Sequence, residues 1–174
     1  MSGPDFEAVV ALYYEPLYRF ALSLTRSESD AGDLAQQTFY LWATKGHQLR
    51  DPGKAKPWLF TTLHRTFLGS RRQRTRFPHS ELTEVDADLP VILPVAARQL
   101  DASQALQALG EVDEVYRAPV ALFYLEDCSY REIADILDVP IGTVKSRLAR
   151  GLGQLRQIFA GGNPAGSKAE GDRE

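Results

Sequence analysis

Hydrophobic residues recur at every third or fourth position through the first part of the chain. Between residues 6 and 24 they are Phe6, Val9, Val10, Tyr13, Leu17, Phe20 and Leu24. This spacing places them along one side of an α-helix, and we expect that side to face a protein core. Pro16 lies inside this predicted helix and should disturb it only mildly.

A second helix is predicted to begin near Ser27, because the segment from Ser27 to Asp30 fits an N-terminal capping box. Its apolar side is formed by Leu34, Thr38, Leu41 and Trp42. The opposite side has polar residues at positions i, i+3, i+4 and i+7, which we call the polar face: Asp33, Gln36, Gln37 and Tyr40. Helical geometry makes these four residues one contiguous surface. An ordinary solvated helix side is the alternative interpretation.

The helical pattern breaks over residues 45–56, where two glycines and a proline predict a loop. Pro57 suits the first turn of a third helix. That helix would run through Trp58, Leu59, Leu63 and Phe67 into a group of arginines. Because Trp58 and Trp42 share the spacing of core residues, we expect both to be buried rather than available for base stacking.

The composition changes at residue 78. Residues 78–94 contain three prolines, are acidic and show no sustained period, which predicts an interdomain linker. Helical patterns resume from Ala102 to Leu109, with Asp101 as the N-cap. They continue from Asp113 to Leu125, where Pro119 predicts a bend.

No segment shows the strict alternation of a half-buried β-strand. We therefore predict an all-α protein of two small helical domains joined by an acidic flexible linker. The domains would cover residues 1–77 and 101–160, the linker residues 78–100, and a disordered tail residues 161–174.

The segment from Tyr130 to Gly151 has the pattern of a helix-turn-helix. Apolar or small residues fall where its two helices must pack together: Ile133, Ala134, Leu137, Val139 and Val144. Asp138 stands where such motifs usually have a glycine in the turn. The match is good without being complete.

Beyond the turn, polar residues again follow helical spacing, on the side away from Val144 and Leu148. We call them, with Lys145 on their flank, the reading face: Thr143, Lys145, Ser146, Arg147 and Arg150. Arginine can bridge the O6 and N7 atoms of guanine, hydroxyl groups can serve bases or phosphates, and lysine suits a phosphate. The pattern therefore predicts DNA binding. The alternative is an amphipathic hairpin with a solvated basic side.

The chain has 174 residues, 44% of them hydrophobic, which suffices for one core or two small ones. No apolar run of about 18 residues could cross a membrane. The N-terminal sequence lacks the basic and apolar regions of a secretory signal. We therefore expect a cytoplasmic protein without membrane insertion.

No group of residues predicts enzymatic chemistry. His47, His64 and His79 lie at scattered spacings, and the lone Cys128 can form neither an internal disulfide nor a CxxC motif. The sequence contains no HExxH motif, no GxSxG motif and no glycine loop for phosphate. We expect no catalytic site, no metal site, no cofactor and no enzymatic activity.

The net charge of −3 conceals an uneven distribution. Residues 1–79 contain 11 basic and 7 acidic residues (+4), residues 80–101 contain 1 and 5 (−4), and residues 102–160 contain 6 and 8 (−2). The basic part includes a run without acids at Arg65, Arg71, Arg72, Arg74 and Arg76. Such a run is typical of phosphate contact, although a solvated charge run has the same composition.

Three motifs, in this order, resemble the extracytoplasmic-function (ECF) class of bacterial RNA polymerase sigma factors. DAGDLAQQTFYLW, from Asp30, is similar to the region 2 helix that grips the β′ clamp helices of polymerase. DPGKAKPWLFTTLHRTFLGSRR, from Asp51, resembles the segment that opens and reads the −10 promoter element. SYREIADILDVPIGTVKSRLARG, from Ser129, resembles region 4, whose helix-turn-helix reads the −35 element.

The resemblance assigns a role to each surface. The polar face would bind core RNA polymerase, and the reading face would bind the −35 element. The −10 element would be bound by Lys45, His47, Arg50, Lys54, Lys56, His64, Arg65, Arg71 and Arg72, around a loop that captures a flipped base. Implied partners are core polymerase, through its β′ clamp helices and β flap, promoter DNA, and in many relatives an anti-sigma protein.

Some positions depart from the family pattern. Gly32 and Gln37 replace frequent acidic residues, so the predicted polymerase contact is less charged. His64 and Arg65 replace a frequent Arg-Asn pair, and Gly69 replaces a frequent Asp, which leaves the −10 sequence open.

Two other functions remain open from the residues. One is a stand-alone helix-turn-helix regulator that binds a palindrome as a dimer. The other is a helical adaptor that binds only protein. Neither explains the polar face and the −10-like segment together.

Overall fold

The computed structural model describes residues 5–74 and 102–161, and these residues form helices and connecting turns without a β-strand. The helices are α1 (Phe6–Thr25), α2 (Glu28–Lys45), α3 (Ala55–Arg74), α4 (Ala102–Leu109), α5 (Glu114–Tyr124), α6 (Tyr130–Leu137) and α7 (Ile141–Phe159). Two short 3₁₀ turns, Gly46–Gln48 and Pro52–Lys54, connect α2 to α3. The all-α prediction is confirmed.

Several predictions from the sequence concern residues outside these ranges. The linker over residues 78–100, Arg76, His79, the N-cap Asp101 and the tail beyond Gly161 lie outside the described part of the chain. Within the described ranges, no helix is both long and apolar enough to span a membrane.

Local capping explains where α1 and α2 begin and end. The Asp5 carboxylate accepts the Glu7 N–H at 3.3 Å, and the Ser27 hydroxyl accepts the Asp30 N–H at 3.3 Å. Between these helices Arg26 adopts the left-handed conformation, with φ of 56°, which ends α1 and reverses the chain. As a result α1 and α2 lie side by side as a helical hairpin.

Helices α1, α2 and α3 form the first unit. Phe20 of α1 and Phe60 of α3 are fully buried, with ring centroids 5.4 Å apart. Trp42 is buried and meets the half-buried Trp58 edge to face at 5.2 Å. The predicted burial is confirmed for Trp42, whereas Trp58 is only half-buried. Phe6, which we predicted to face the core, is 44% exposed because no described residue covers the first turn of α1.

Helices α4 to α7 form the second unit around the helix-turn-helix. Val120 and Leu122 of α5 pack with Leu148, Leu152 and Leu155 of α7, and all five are buried. Pro119 lies within α5 as predicted. The Ser129 hydroxyl and the Glu132 carboxylate form a complete capping box at the start of α6.

The two units pack against each other, which the sequence did not predict. Helix α3 lies against α6, helix α1 lies against α5, and the buried residues of both units belong to one continuous apolar cluster. The boundary between them also carries polar contacts, which position the candidate functional surfaces.

Candidate functional site

The polar face lies on the outer side of α2. All four residues are exposed, and Tyr40 is 67% exposed. Together they line a shallow depression of about 290 Å³. They are presented outward because Leu34, Ala35, Thr38 and Phe39, on the other side of the helix, are buried. The structure therefore brings together the four residues that the helical spacing predicted.

The chemistry of the polar face suits a partner rich in hydrogen-bond donors. Asp33 offers a carboxylate, Gln36 and Gln37 offer amides that both donate and accept, and Tyr40 offers an exposed ring with a hydroxyl. A carboxylate pairs well with arginine, which can form two parallel hydrogen bonds to it. Tyrosine is common at the centre of protein interfaces.

A second depression, of about 330 Å³, lies beside the polar face and reaches the boundary between the units. Asp33 and Gln37 line one part of it, while Arg71 of α3 and Glu114 of α5 line another. Arg71 forms an ion pair with Glu114, and both side chains are partly exposed. The polar face is therefore a direct neighbour of a contact that joins the two units.

The structure divides the residues predicted to bind the −10 element. Six are exposed on the first unit: Lys45, His47, Arg50, Lys54, Arg65 and Arg72. The other three face the second unit. Arg71 pairs with Glu114, Lys56 donates to the Glu126 carbonyl oxygen at 3.0 Å, and His64 lies near Arg147.

His64 has an environment unlike that of a free surface histidine. Burial, and after it the positive charge of Arg147, lower its pKa from 6.5 to about 4. The imidazole is therefore neutral at physiological pH. His64, a −10 candidate on α3, is therefore close enough to Arg147, a −35 candidate on α7, for the charge of the arginine to affect its pKa.

The reading face is covered rather than open. Ser146 is buried, and Thr143, Lys145, Arg147 and Arg150 are half-buried. Arg150 donates to the Tyr116 hydroxyl at 3.4 Å, and burial lowers the pKa of Arg147. We predicted an exposed polar side for this helix. The difference arises because Tyr116 of α5 lies beside Arg147 and Arg150, and because His64 of the first unit lies near Arg147.

The helix-turn-helix itself has the predicted geometry. Asp138 ends α6 in the left-handed conformation, with φ of 54° and ψ of 52°, and its N–H donates to the Ala134 carbonyl. This is the conformation for which other such motifs use glycine, and aspartate tolerates it better than most residues. Helix α7 then begins at Ile141.

Sequence reasoning missed the residues at the boundary of the units. The Glu126 side chain is only 4% exposed and accepts a hydrogen bond from Arg19 Nε at 3.0 Å. Burial raises the pKa of Glu126, which the hydrogen bond and charge of Arg19 oppose. No periodic signal marks either residue, because they are 107 positions apart and meet only in the folded chain.

Comparison with known proteins covers both units. The family model described as Sigma-70 region 2 matches residues 9–77, and the model described as Sigma-70, region 4 matches residues 102–155. Both matches agree with the resemblance noted in the motifs.

Individual relatives cover most of the chain. ECF RNA polymerase sigma factor EcfG of Rhodopseudomonas palustris is 31% identical, over 82% of this chain and 78% of its own length. ECF RNA polymerase sigma factor SigE of Mycolicibacterium smegmatis is 32% identical over 90% of this chain, which spans only 62% of that relative's length.

A solved structure is similar in fold. The sigma factor RpoE of Bartonella quintana, in complex with the anti-sigma factor NepR, superposes with a TM-score of 0.69 at 28% identity. The likeness covers 90% of this chain and 97% of that one.

Proposed function

The chain belongs to the ECF class of sigma-70 family RNA polymerase sigma factors, and we propose that it binds core RNA polymerase and directs it to promoters. In this proposal α2 contacts polymerase, the first unit binds and opens the −10 element, and the helix-turn-helix binds the −35 element. The chain itself performs no covalent chemistry. The reaction belongs to polymerase.

The observation that carries the proposal is the polar face. Four residues with the chemistry of a protein interface are exposed together on one helix, and they line a depression of about 290 Å³. DNA binding by itself does not require such a surface. Its place within the Sigma-70 region 2 match, in the motif that resembles the polymerase-gripping helix, supports polymerase as its partner.

The exposed basic residues of the first unit support a role in strand binding. Lys45, His47, Arg50 and Lys54 follow one another along the turns between α2 and α3, so they can contact successive phosphates of one strand. Arg65 and Arg72 continue the basic surface on α3. Such contacts fix the protein on the strand, and sequence is then read from the bases.

A protein regulator is a further proposed partner. The RpoE structure contains the anti-sigma factor NepR, and the fold likeness extends over nearly the whole of both chains. We propose that this chain can likewise be bound by an anti-sigma protein.

The proposal is tested by open-promoter formation with purified core polymerase, on genomic fragments first selected by the wild-type holoenzyme. The polymerase-binding variant is Asp33→Asn with Gln37→Ala. Its matched control is Glu28→Gln, which removes one exposed carboxylate from the same helix outside the polar face. The reading-face variant is Arg147→Ala with Arg150→Ala.

We expect wild type and Glu28→Gln to join core polymerase and melt the promoter. The polar-face variant should fail to join core. The reading-face variant should join core but lose promoter selection. A wild-type protein that ignores core polymerase and binds a palindromic duplex tightly as a dimer would replace this proposal with a stand-alone regulator.

A further inference from the structure

The turns between α2 and α3 contain one acidic residue among the basic residues proposed to bind a DNA strand. Asp51 is the only acid between Asp33 and Glu81 in the sequence, and its nearest basic neighbours are Arg50 and Lys54. An exposed carboxylate repels phosphate, so its charge opposes the function proposed for this segment. Any contribution of Asp51 to strand binding must therefore come from the shape that it gives the turn or from a contact with a base.

Asp51 shapes the second turn through hydrogen bonds to the backbone that follows it. Its carboxylate Oδ1 accepts the Gly53 N–H at 2.9 Å, and its carbonyl oxygen accepts the Lys54 N–H at 3.0 Å. Pro52 lies between these residues, and its ring fixes its own φ. Aspartate commonly initiates turns in this way, because its side chain can accept the N–H of the residue two positions later. These bonds hold the 3₁₀ turn Pro52–Lys54 in place.

The first turn is held differently, by packing against the core. Gly46 is buried, and a Cβ atom built on it would lie 2.7 Å from Cδ2 of Trp42. Leu49 is half-buried against the core, and its N–H donates to the Gly46 carbonyl oxygen at 3.0 Å. The second turn ends at Ala55, which is 4% exposed. Between these anchors, residues 50–54 are all exposed.

The exposed segment depends on hydrogen bonds for its conformation, because its side chains are not packed in the core. Loss of the Asp51 carboxylate would leave the Gly53 N–H to solvent and allow the segment to sample other conformations. Arg50 and Lys54 flank the turn, so its conformation sets the spacing of their charged groups. A surface that already has the bound conformation binds more tightly than one that must be ordered during binding.

We propose that Asp51 is a positioning residue, whose carboxylate holds the turn in the form that presents Arg50 and Lys54 to one strand of the opened −10 element. Gly46 has a complementary role, because it allows the first turn to pack directly on Trp42. The inference rests on the proposed function, since it names two residues that arrange its strand-binding surface without contacting the strand. An asparagine at position 51 can replace the carboxylate in this role, whereas an alanine cannot.

The test compares Asp51→Asn with Asp51→Ala. Both variants lose the same charge, but only asparagine keeps a side-chain oxygen that can accept the Gly53 N–H. Because Asp51 is exposed, neither change alters the core. Each full-length protein is assembled with core polymerase, and its affinity is measured for two probes built from a promoter fragment that the wild-type holoenzyme selects. One probe carries the −35 duplex followed by the −10 region as a single strand. The other ends at the last base pair before that strand.

Gly46→Ala and Gly69→Ala supply a second, independent pair of variants. A Cβ atom on Gly46 would overlap Trp42, whereas a Cβ atom on Gly69, in α3, would meet no atom within 4 Å. The affinity for core polymerase is measured for every protein, because a general change in fold would lower it as well. Exchange of the Gly53 amide proton with solvent, followed by NMR on the free chain, reports the second turn without polymerase.

We expect Asp51→Ala to bind the single-stranded probe about tenfold more weakly than Asp51→Asn, the result for a turn that is competent in about one molecule of ten. Gly46→Ala should show a loss of similar size relative to Gly69→Ala. All proteins should bind core polymerase and the duplex probe equally well. The Gly53 amide proton should exchange faster in Asp51→Ala than in Asp51→Asn.

Equal affinities of Asp51→Asn and Asp51→Ala for the single-stranded probe would overturn the positioning role of Asp51. If both also prefer a different base from wild type, Asp51 contacts the base instead. An equal loss for the duplex probe or for core polymerase would show that the variants only disturb the fold, which also overturns the inference. A wild-type protein that joins core but gains no affinity from the single strand would overturn the inference and leave polymerase binding intact. A wild-type protein that ignores core polymerase would contradict the proposed function itself.

Discussion

Two glycines of α7 should respond in opposite directions to the same substitution. A Cβ atom built on Gly151 would lie 2.4 Å from Cγ2 of Val120 and 3.0 Å from Cβ of Tyr116. A Cβ atom built on Gly153 would meet no atom within 4 Å. Gly151 therefore permits the close approach of α5 and α7, while Gly153 has no such role. From the sequence alone, each glycine is expected to lower the stability of the helix by the same amount relative to alanine.

The magnitudes follow from two opposing terms. Alanine is favoured over glycine inside a helix by about 1 kcal/mol. At Gly151 this gain is offset by overpacking, which costs about 1–3 kcal/mol. The upper end applies, because Val120 is fully buried and a β-branched side chain has essentially one rotamer in a helix. Gly151→Ala should lose about 2 kcal/mol of unfolding free energy, and Gly153→Ala should gain about 1 kcal/mol.

The assay is urea unfolding followed by circular dichroism, with wild type and both variants under one set of conditions. The double variant Val120→Ala with Gly151→Ala removes the clashing methyl group. It should therefore be more stable, by at least about 1 kcal/mol, than the sum of the two single changes predicts. If Gly151→Ala is as stable as Gly153→Ala, the packing argument is wrong.

Three further changes test other parts of the structure. Because His64 is neutral in the folded chain, with a pKa of about 4 against 6.5 when free, the unfolded chain binds more protons and stability should fall as pH drops from about 6.5 towards 4. When the pH is lowered from 7.5 to 5.5, the free energy of unfolding measured in urea should fall by about 1 kcal/mol more for wild type than for His64→Gln. Equal losses would contradict a buried, neutral His64. Ser129→Ala removes the capping box of α6 and should cost about 1 kcal/mol in thermal or urea unfolding, with Ser29→Ala as a control on an exposed serine. Asp138→Val should cost about 1–2 kcal/mol, because a β-branched residue tolerates the left-handed conformation poorly, whereas Asp138→Gly should cost nothing; equal stability of the two variants would show that the turn has relaxed.

The features that could be predicted from sequence have causes within a few residues. Ser129 and Glu132 are three positions apart, and their capping box requires only that a helix begin directly after Ser129. The polar face follows from helical spacing alone. The predicted helix from Ala102 to Leu109 matches α4 because its apolar period and its ends are local.

The features that could not be predicted depend on packing between distant segments. Arg19 and Glu126 give no signal before α1 and α5 meet. Phe6 has the same helical spacing as the buried residues of α1. This spacing shows that they share one side of the helix, but it does not show which part of that side another segment covers. Arg150 follows the spacing of the reading face, but its bond to Tyr116 depends on how α7 lies on α5.

The uneven charge of the chain gains a physical explanation from the contact between the units. The first unit is basic and the second is acidic, so the units attract each other, and Arg71 of the first unit forms an ion pair with Glu114 of the second. The apparent affinity of a site that is open in only a fraction of molecules is reduced by that fraction. A free chain that is closed in nine molecules of ten, as an illustration, would bind DNA about tenfold more weakly than an open one. A partner that binds only the open form removes this penalty, and by linkage DNA then strengthens the binding of that partner by the same factor. Any partner that binds only a form of the chain with separated units would thus assist DNA binding through this equilibrium, in addition to any contact between that partner and DNA.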